Sequence, residues 1–532
     1  MNDACIPHSQ LPGSTALFLD FLYRFERLED FYPFPPGPAA ALEAARLVDY
    51  PPDRRRSICD LLRRQNANVG PAVDEALDRL SRPDTVAVAT GQQVGLLGGP
   101  AFSVYKALSA LRYAEELERR GRPAVAVFWL ATEDHDRAEV DHAWIFDRER
   151  RPRRLESDAS RPAATPVGPQ PASAPIAELS SAWSGFAFGG EAVEMAARAY
   201  APGATYGAAF AKLLRELFEG RPLLLLDPLD PSARELAQPL LRKVIEQMPG
   251  LLEDVRARGR ALGEAGYHEQ VQVGDDAALM FLLRGDKRTP VRRKGQEYLA
   301  AGERYSTSSL LDLLDGQPSA FSPNALLRPV VQDYLLPTAV LVGGPAEIAY
   351  LAQSRPLYER LLGRMPLIAA RASFTLLSPR TAKLLERHKL SFQDCLAPYD
   401  ALRQKIAERL IPPQLETAFE ERKAEVSAAL NSLGGSLESF DPTLAQAFSR
   451  SRRKIDYQLG RMQGKAAREA MRRDERAGRE ADELHHTLFP RRTLQERLYS
   501  FLPFYAEAGP RLIDRLHRAA EPSCLDHRLL AY

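Results

Sequence analysis

Four consecutive polar residues, Glu133-Asp134-His135-Asp136, stand just beyond a short apolar run, Val125–Leu130, and are the best candidates in the chain for catalysis. Three carboxylates can anchor a substrate ammonium, take a proton from an attacking amine or hold Mg²⁺, and an imidazole exchanges protons near neutral pH. Continued strand geometry would set Glu133 and His135 on one side and Asp134 and Asp136 on the other. The same residue types also serve ordinary turn chemistry, with aspartates capping backbone N–H groups and His135 simply hydrogen-bonded. Their spacing is not diagnostic of a metal centre, and no metal ligand is assigned.

Two further clusters carry polar groups at the ends of apolar runs. After Val86–Ala89 come Gly91, Gln92 and Gln93, followed by Gly95, Gly98 and Gly99. Neither GxxxxGK[ST] nor GxGxxG fits this loop. Glutamine amides donate and accept, which suits an uncharged or zwitterionic substrate, and the glycines suit close approach of backbone to a ligand. A structural loop with solvated glutamines is the plainer alternative. The third cluster combines Asn324, Arg328 and Gln332 with the loop Gly343-Gly344-Pro345 and Glu347. Arg328 offers a planar fork for a carboxylate, and a loop at a helix N-terminus favours anions. Salt bridging on a helix surface would explain the same composition.

The elements that must position these groups read as α/β. Val86–Ala89, a helix over Phe102–Arg120 closed by Gly121 and Pro123, and Val125–Leu130 make a βαβ unit with an expected right-handed crossover. Residues beyond the carboxyl ends of its strands meet on one sheet edge, where open α/β sheets bind ligands. Helices precede it over the first eighty residues or so. The spacing predicts a helix over Tyr206–Glu219, a strand over Pro222–Asp227 and a helix over Pro231–Gln247. YHEQVQV and ALMFLLRGD, continuing through VRRKGQEYLA, predict a small antiparallel cap. A helix over Pro329–Leu335, a strand over Thr338–Val342 and one more strand within MPLIAARASFTLL complete the core. Between Arg148 and Gly203 the Pro-, Ala- and Arg-rich sequence predicts a loop and no strand, with Arg148–Arg154 a solvated charge cluster or, less simply, a phosphate contact.

The C-terminal third changes character. Leu415, Phe419, Val426, Leu430 and Leu433 form a helical seam, Gly434-Gly435 follows, and Asp441-Pro442 opens a second pattern running to about His486. Such a helix would be roughly 70 Å long, and the pair reads as an antiparallel coiled-coil hairpin suited to dimerisation. The expected division is therefore 1–147 for N-terminal helices and the first half of the core, 148–205 for an insertion and 206–380 for the second half with its cap. Residues 381–490 form the coiled coil, and the tail 491–532 folds back on the core.

Net charge is +1, from 71 basic and 70 acidic residues, which gives no general argument for nucleic acid or membrane binding. The N-terminal stretch lacks the pattern of a signal peptide, and no apolar run approaches a membrane span. The four scattered cysteines support neither a zinc site nor a disulfide framework, and a reducing cytoplasm is the expected setting. Cys59 and Cys395 lie on helical patterns and read as small core residues.

Four segments, TGQQVGLLGGPAFSVYKALSA, FWLATEDHDRAEVDHAW, RPVVQDYLLPTAVLVGGPAEIAY and LQERLYSFLPFY, stand in one order over essentially the full length. Together they resemble the bacillithiol biosynthesis cysteine-adding enzymes. The resemblance implies a Rossmann-like doubly wound core with a connecting insertion and a dimerising coiled coil. It also implies ligation of L-cysteine to the amino group of glucosaminyl malate, both small molecules. Forming an amide from a free carboxylate requires an activated acyl group, so ATP with Mg²⁺ is expected although no Walker motif is present and no nucleotide-binding residue is assigned. Glu133, Asp134, His135 or Asp136 would then act as general base and ammonium anchor, and Arg328 would meet malate carboxylates. A nucleotidyl-transferring enzyme of similar fold and a non-catalytic coiled-coil scaffold are the alternatives.

Overall fold

A computed structural model describes residues 4–157, 164–285 and 287–532. Its centre is a five-stranded parallel sheet ordered Leu367–Ala370, Thr338–Gly343, Val86–Gln92, Ala124–Leu130, Leu223–Leu226. In chain order this is 5-4-1-2-3, the Rossmann arrangement, with strand order reversing between Val86–Gln92 and Thr338–Gly343. The strands are continuous apolar runs because both sheet faces are covered. All seven residues of Ala124–Leu130 are buried. Ala124, Ala126 and Phe128 enter one core, beside the helix Phe102–Arg119; Val125, Val127 and Trp129 enter the other, beside the N-terminal helices and the helices Pro231–Glu264 and Pro345–Leu362. Each Val, Leu or Phe so buried contributes about 1.5–3 kcal/mol.

Several expectations are corrected. The helix predicted to end at Gln247 continues to Glu264, carrying Pro239 and Pro249 inside it. YHEQVQV is not a strand; the antiparallel cap consists of Ala277–Arg284, Lys287–Lys294, Glu297–Ala300 and Glu303–Tyr305, with Phe321–Pro323 on its other edge. MPLIAARASFTLL yields two strands rather than one. Leu367–Ala370 closes the parallel sheet, whereas Ser373–Leu377 joins His527–Ala531 and Ala4–Ile6 in a separate three-stranded sheet.

The expected loop at 148–203 is also structured over most of its length, though residues 158–163 lie outside the described residues. Pro152–Glu156 pairs antiparallel with His142–Phe146, and helices span Ile176–Ala182 and Gly189–Ala199. Its core residues, among them Leu179, Trp183 and Met195, are diluted by alanine and serine, which hid the helical period. Arg150 is not solvated: it is buried, paired with Glu507 and stacked over Phe146 at 4.7 Å.

In the hairpin, the first helix runs from Pro413 to Phe440, straight through Gly434-Gly435. A Cβ on Gly434 would lie 3.0 Å from the Phe448 ring, so this glycine serves close packing rather than termination. Asp441 alone makes the reversal, its carboxylate accepting from the Thr443 N–H at 2.8 Å. The second helix stops at Arg473, and Asp474 caps a new one, Glu475–Leu488. A single aspartate on a polar face gave no sign of that break.

The chain's last forty residues are built into the core: Tyr499, Phe501, Leu502 and Phe504 are buried with the sheet residues. An ion pair ties this segment to the parallel sheet's edge. Arg371 donates to Glu496 at 2.7 and 3.0 Å, and Glu496 also accepts from the Ser373 hydroxyl (2.9 Å) and the Phe374 N–H (3.0 Å). His527, fully buried, lies between Ser373 (2.7 Å) and Thr375 (2.9 Å). Burial pushes Glu496 up, but Arg371 and these donors outweigh it and hold the carboxyl at about 2; burial pushes His527 down to about 4.

Both groups sit below their unfolded values, so each contributes fully above those values and is lost as pH falls. For His527, the fall from 6.5 to about 4 corresponds to roughly 3 kcal/mol. Urea midpoints should therefore hold steady above neutrality, decline below pH 6.5 as His527 charges, and decline again below 4.5 as Glu496 protonates. His527→Gln should remove part of the first decline and leave the second.

Candidate active site

At the point where strand order reverses, one buried side chain connects two strand ends. Lys106, on the second turn of the Phe102–Arg119 helix, is 2% exposed. Its ammonium donates to the Gly91 carbonyl at 2.8 Å and to Gln92 Oε1 at 2.9 Å, and pairs with Glu347. Three donors meet three acceptors, which is what a buried ammonium requires. Glu347 is the third residue of the Pro345–Leu362 helix and also accepts the Gly344 N–H at 2.8 Å. Burial pushes the Glu347 carboxyl up, but Lys106 and Gly344 hold it below the ordinary carboxylate range; burial draws Lys106 down. With Lys106 on Gln92 Oε1, the amide of Gln92 turns its NH₂ away from the lysine.

The acidic cluster meets the same loop. Gln93 donates to Asp134 Oδ2 at 2.7 Å, and Asp134 Oδ1 accepts the His135 N–H at 2.7 Å. Burial raises the Asp134 carboxyl, yet Gln93, this N–H and Arg288 hold it below its ordinary value, so it stays ionised. Arg288 arrives from the antiparallel cap. Its guanidinium donates to the Pro323 carbonyl (2.7 Å), the Ser322 hydroxyl (3.1 Å) and His135 Nδ1 (2.8 Å), and lies 3.9 Å over the Phe281 ring. Arginine can only donate, so Nδ1 is the acceptor and the neutral imidazole carries its proton on Nε2. Burial and Arg288 together hold His135 below its ordinary pKa. His135 is thereby a hydrogen-bond donor with no lone pair left for base chemistry.

Glu133 points elsewhere. It is buried, paired with Arg234 at 2.7 Å and hydrogen-bonded to Ser322 at 3.1 Å. Asp136 is exposed. Arg328 donates to the Tyr350 hydroxyl at 3.0 Å and to Gln332 at 3.4 Å, within the fields of Glu347 and Glu133. Although burial opposes its charge, Tyr350 and these carboxylates raise the Arg328 pKa; burial pushes Tyr350 to about 12.

The three polar clusters thus converge through Gln93–Asp134 and Lys106–Glu347, with Arg328 beside Glu347. Some of their members serve the frame instead. Asn324 spends its carbonyl on the Leu326 and Leu327 N–H groups (3.1 and 3.0 Å), and Gln332 is fully buried beneath Arg328, donating to Asp333. A Cβ on Gly91 would fall 2.8 Å from the Trp129 carbonyl, so strand packing requires that glycine. Gly343 and Gly344 lie against Glu347 and Arg371. Lys106, Arg234, Arg288, Tyr350 and Arg371 escaped the sequence reading. Only Lys106 left a legible trace there: a charge where the helix's apolar face should continue.

The usual Rossmann phosphate seat, the N-terminus of the first sheet helix, is taken by the chain itself. The Ala101 N–H donates to the Tyr499 carbonyl at 2.7 Å, Ser500 bridges to Pro100, and the Ser500 hydroxyl donates to the Leu97 carbonyl at 2.8 Å. Among the described residues, no group of three or more His, Cys, Asp or Glu converges as metal donors.

Removing one partner of a buried ion pair strands the other, at about 3–5 kcal/mol. Lys106→Met should therefore destabilise the fold by about 3 kcal/mol, since Glu347 keeps some solvent contact. The double variant Lys106→Met/Glu347→Gln should fall well short of the summed single losses, as denaturant midpoints would reveal.

Comparison with known families agrees with this architecture. Residues 1–372 match the family described as bacillithiol biosynthesis BshC, N-terminal Rossmann-like domain, and residues 374–532 match its C-terminal coiled-coil domain. A protein of Solibacter usitatus named "Putative cysteine ligase BshC" is 45% identical over 532 residues, covering 100% of both chains. Its namesakes in Koribacter versatilis and Salinibacter ruber are 36% and 32% identical, covering 99% and 98% of this chain and 99% and 97% of their own. The fold, its two-part division and these full-length relatives place the chain in the BshC family of bacillithiol biosynthesis ligases.

Proposed function

We propose that this ligase joins the carboxyl group of L-cysteine to the amino group of glucosaminyl malate, and does so in the crevice at the sheet's switch point. One observation carries the reading: Arg328, held charged, donates to the Tyr350 hydroxyl at 3.0 Å, and the ionised Asp134 lies close enough to act on that same hydroxyl. That pairing suits substrates bearing both an ammonium and carboxylates. The name that the relatives carry, cysteine ligase, supports cysteine as one substrate.

In this reading Asp134 receives the substrate ammonium and Arg328 the malate carboxylates. The Nε2–H of His135 and the amide NH₂ of Gln92 donate to the acyl oxygen as charge develops on it. Asp134 is too acidic to be an efficient base, so the amine's proton leaves through Asp136 or solvent at the rim. ATP with Mg²⁺ would supply acyl activation; no side chain is assigned to it, because the first helix's N-terminus is covered by Tyr499 and Ser500.

We further propose a homodimer through the hairpin. None of Pro413–Phe440 is buried, and Leu433, Phe440, Tyr457 and Met462 are each at least half exposed. A cytoplasmic setting fits the substrates, and among the described residues no helix is long and apolar enough to cross a membrane.

Mass spectrometry of purified protein with L-cysteine and glucosaminyl malate should detect the amide only when ATP and Mg²⁺ are added. Product without nucleotide would overturn the activation proposal, and no product under any condition would overturn the substrate assignment. Asp134→Asn should weaken amine-substrate use about 10- to 100-fold, whereas His135→Gln, which can still donate, should lose far less than His135→Ala. Equal losses at His135 would argue for base chemistry there. Light scattering should give twice the chain mass, and Phe440→Glu/Tyr457→Glu should give the monomer.

A further inference from the structure

The fold brings together two cysteines from opposite ends of the chain. Cys5 lies on the strand Ala4–Ile6, where its backbone partner is Arg528 of the strand His527–Ala531. Arg528 in turn donates through Nε to Cys524 Sγ at 3.2 Å. The two thiols adjoin beside that one guanidinium. Neighbouring hydrogen bonds hold both segments in place: the Tyr23 hydroxyl accepts the His8 N–H at 2.8 Å and donates to Asp526 at 2.8 Å. Arg528 is itself anchored by the Ala519 carbonyl at 2.5 Å and by Glu521 at 3.4 Å.

The remaining thiols contrast sharply. Cys59 and Cys395 are buried, and burial pushes the Cys395 thiol up to about 12. Cys5 is exposed and Cys524 partly so. A thiolate is the attacking species in disulfide exchange; at Cys5, burial and the neighbouring Cys524 raise the thiol while Arg528 works the other way. Cys5 comes to this point from a strand and Cys524 from the turn four residues ahead of Arg528, so the two thiols meet at one guanidinium.

We propose that Cys5 and Cys524 form an oxidation site that takes a small-molecule disulfide as its substrate. The Cys524 thiolate, beside Arg528, attacks one sulfur of that disulfide and releases the first small thiol. The Cys5 thiolate then attacks the mixed disulfide, releases the second small thiol and closes the Cys5–Cys524 bond. The two protein thiols lose two electrons and two protons, and both pass to the small thiols. The new bond joins the N-terminal strand to the turn ahead of the C-terminal strand. That N-terminal strand leads into His8, Gly13 and Ser14, which line a cavity of about 290 Å³ shared with Gly343 and Arg371. Closure would therefore fix one wall beside the switch-point loop.

The full-length protein, treated with glutathione disulfide and then denatured, tests this directly. Its four thiols should fall to two, with a mass loss of two hydrogens and a crosslinked peptide pair containing Cys5 and Cys524. Cys5→Ser should instead stop at a glutathione adduct on Cys524. Four surviving thiols, separate glutathione adducts on both cysteines, or a bond between two chains would each overturn the proposal. None of these outcomes depends on the ligase reading.

Discussion

A buried ammonium sets the terms for the centre of this protein. Lys106 lies where the first sheet helix faces the sheet, and its charge is tolerated only because three acceptors surround it. Two of those acceptors come from the end of Val86–Gln92, and the third, Glu347, from the first turn of the helix that follows Thr338–Gly343. The lysine therefore fixes the spacing of the two strand ends between which the sheet order reverses. It also settles which end of the Gln92 amide faces away, and it holds Glu347 ionised beside Arg328.

Two elements outside the parallel sheet complete that lining. The antiparallel cap lends Arg288, whose bond to Nδ1 makes His135 a donor. The C-terminal segment lends Tyr499 and Ser500, which fill the position where a Rossmann fold commonly seats a pyrophosphate. The same sheet order thus gathers polar groups at the switch point, where we propose that the small substrates bind, while its first helix N-terminus is closed. Arg371 and Glu496 hold that arrangement together, joining the parallel sheet's edge to the tail through one buried, bidentate ion pair.

Apolar runs bounded by glycine and proline made the central strands and helices legible in the sequence, because strands covered on both faces must be continuously apolar. The convergence was legible for a related reason: Gly91–Gln93, Glu133–Asp136 and Gly343–Glu347 stand at or just beyond strand carboxyl ends, whereas Arg328 lies on the helix that precedes Thr338–Gly343. What could not be read were the contacts that assign roles. Arg288 is one arginine among many in a polar strand, and only the cap's placement brings it to His135. Arg150 looked solvated because its partner, Glu507, lies far along the chain. The break at Asp474 and the helices within 176–199 were hidden by residues whose types fit either state.

Small substrates seated among the loops following Gly91, Glu133 and Gly343 would slow amide exchange there, which hydrogen–deuterium exchange with and without L-cysteine and glucosaminyl malate would register. Binding in the crevice predicts slower exchange in 91–99, 133–140 and 343–350, with the hairpin 413–473 unchanged. Protection confined to the hairpin or to the three-stranded sheet, with those loops exchanging as before, would contradict it.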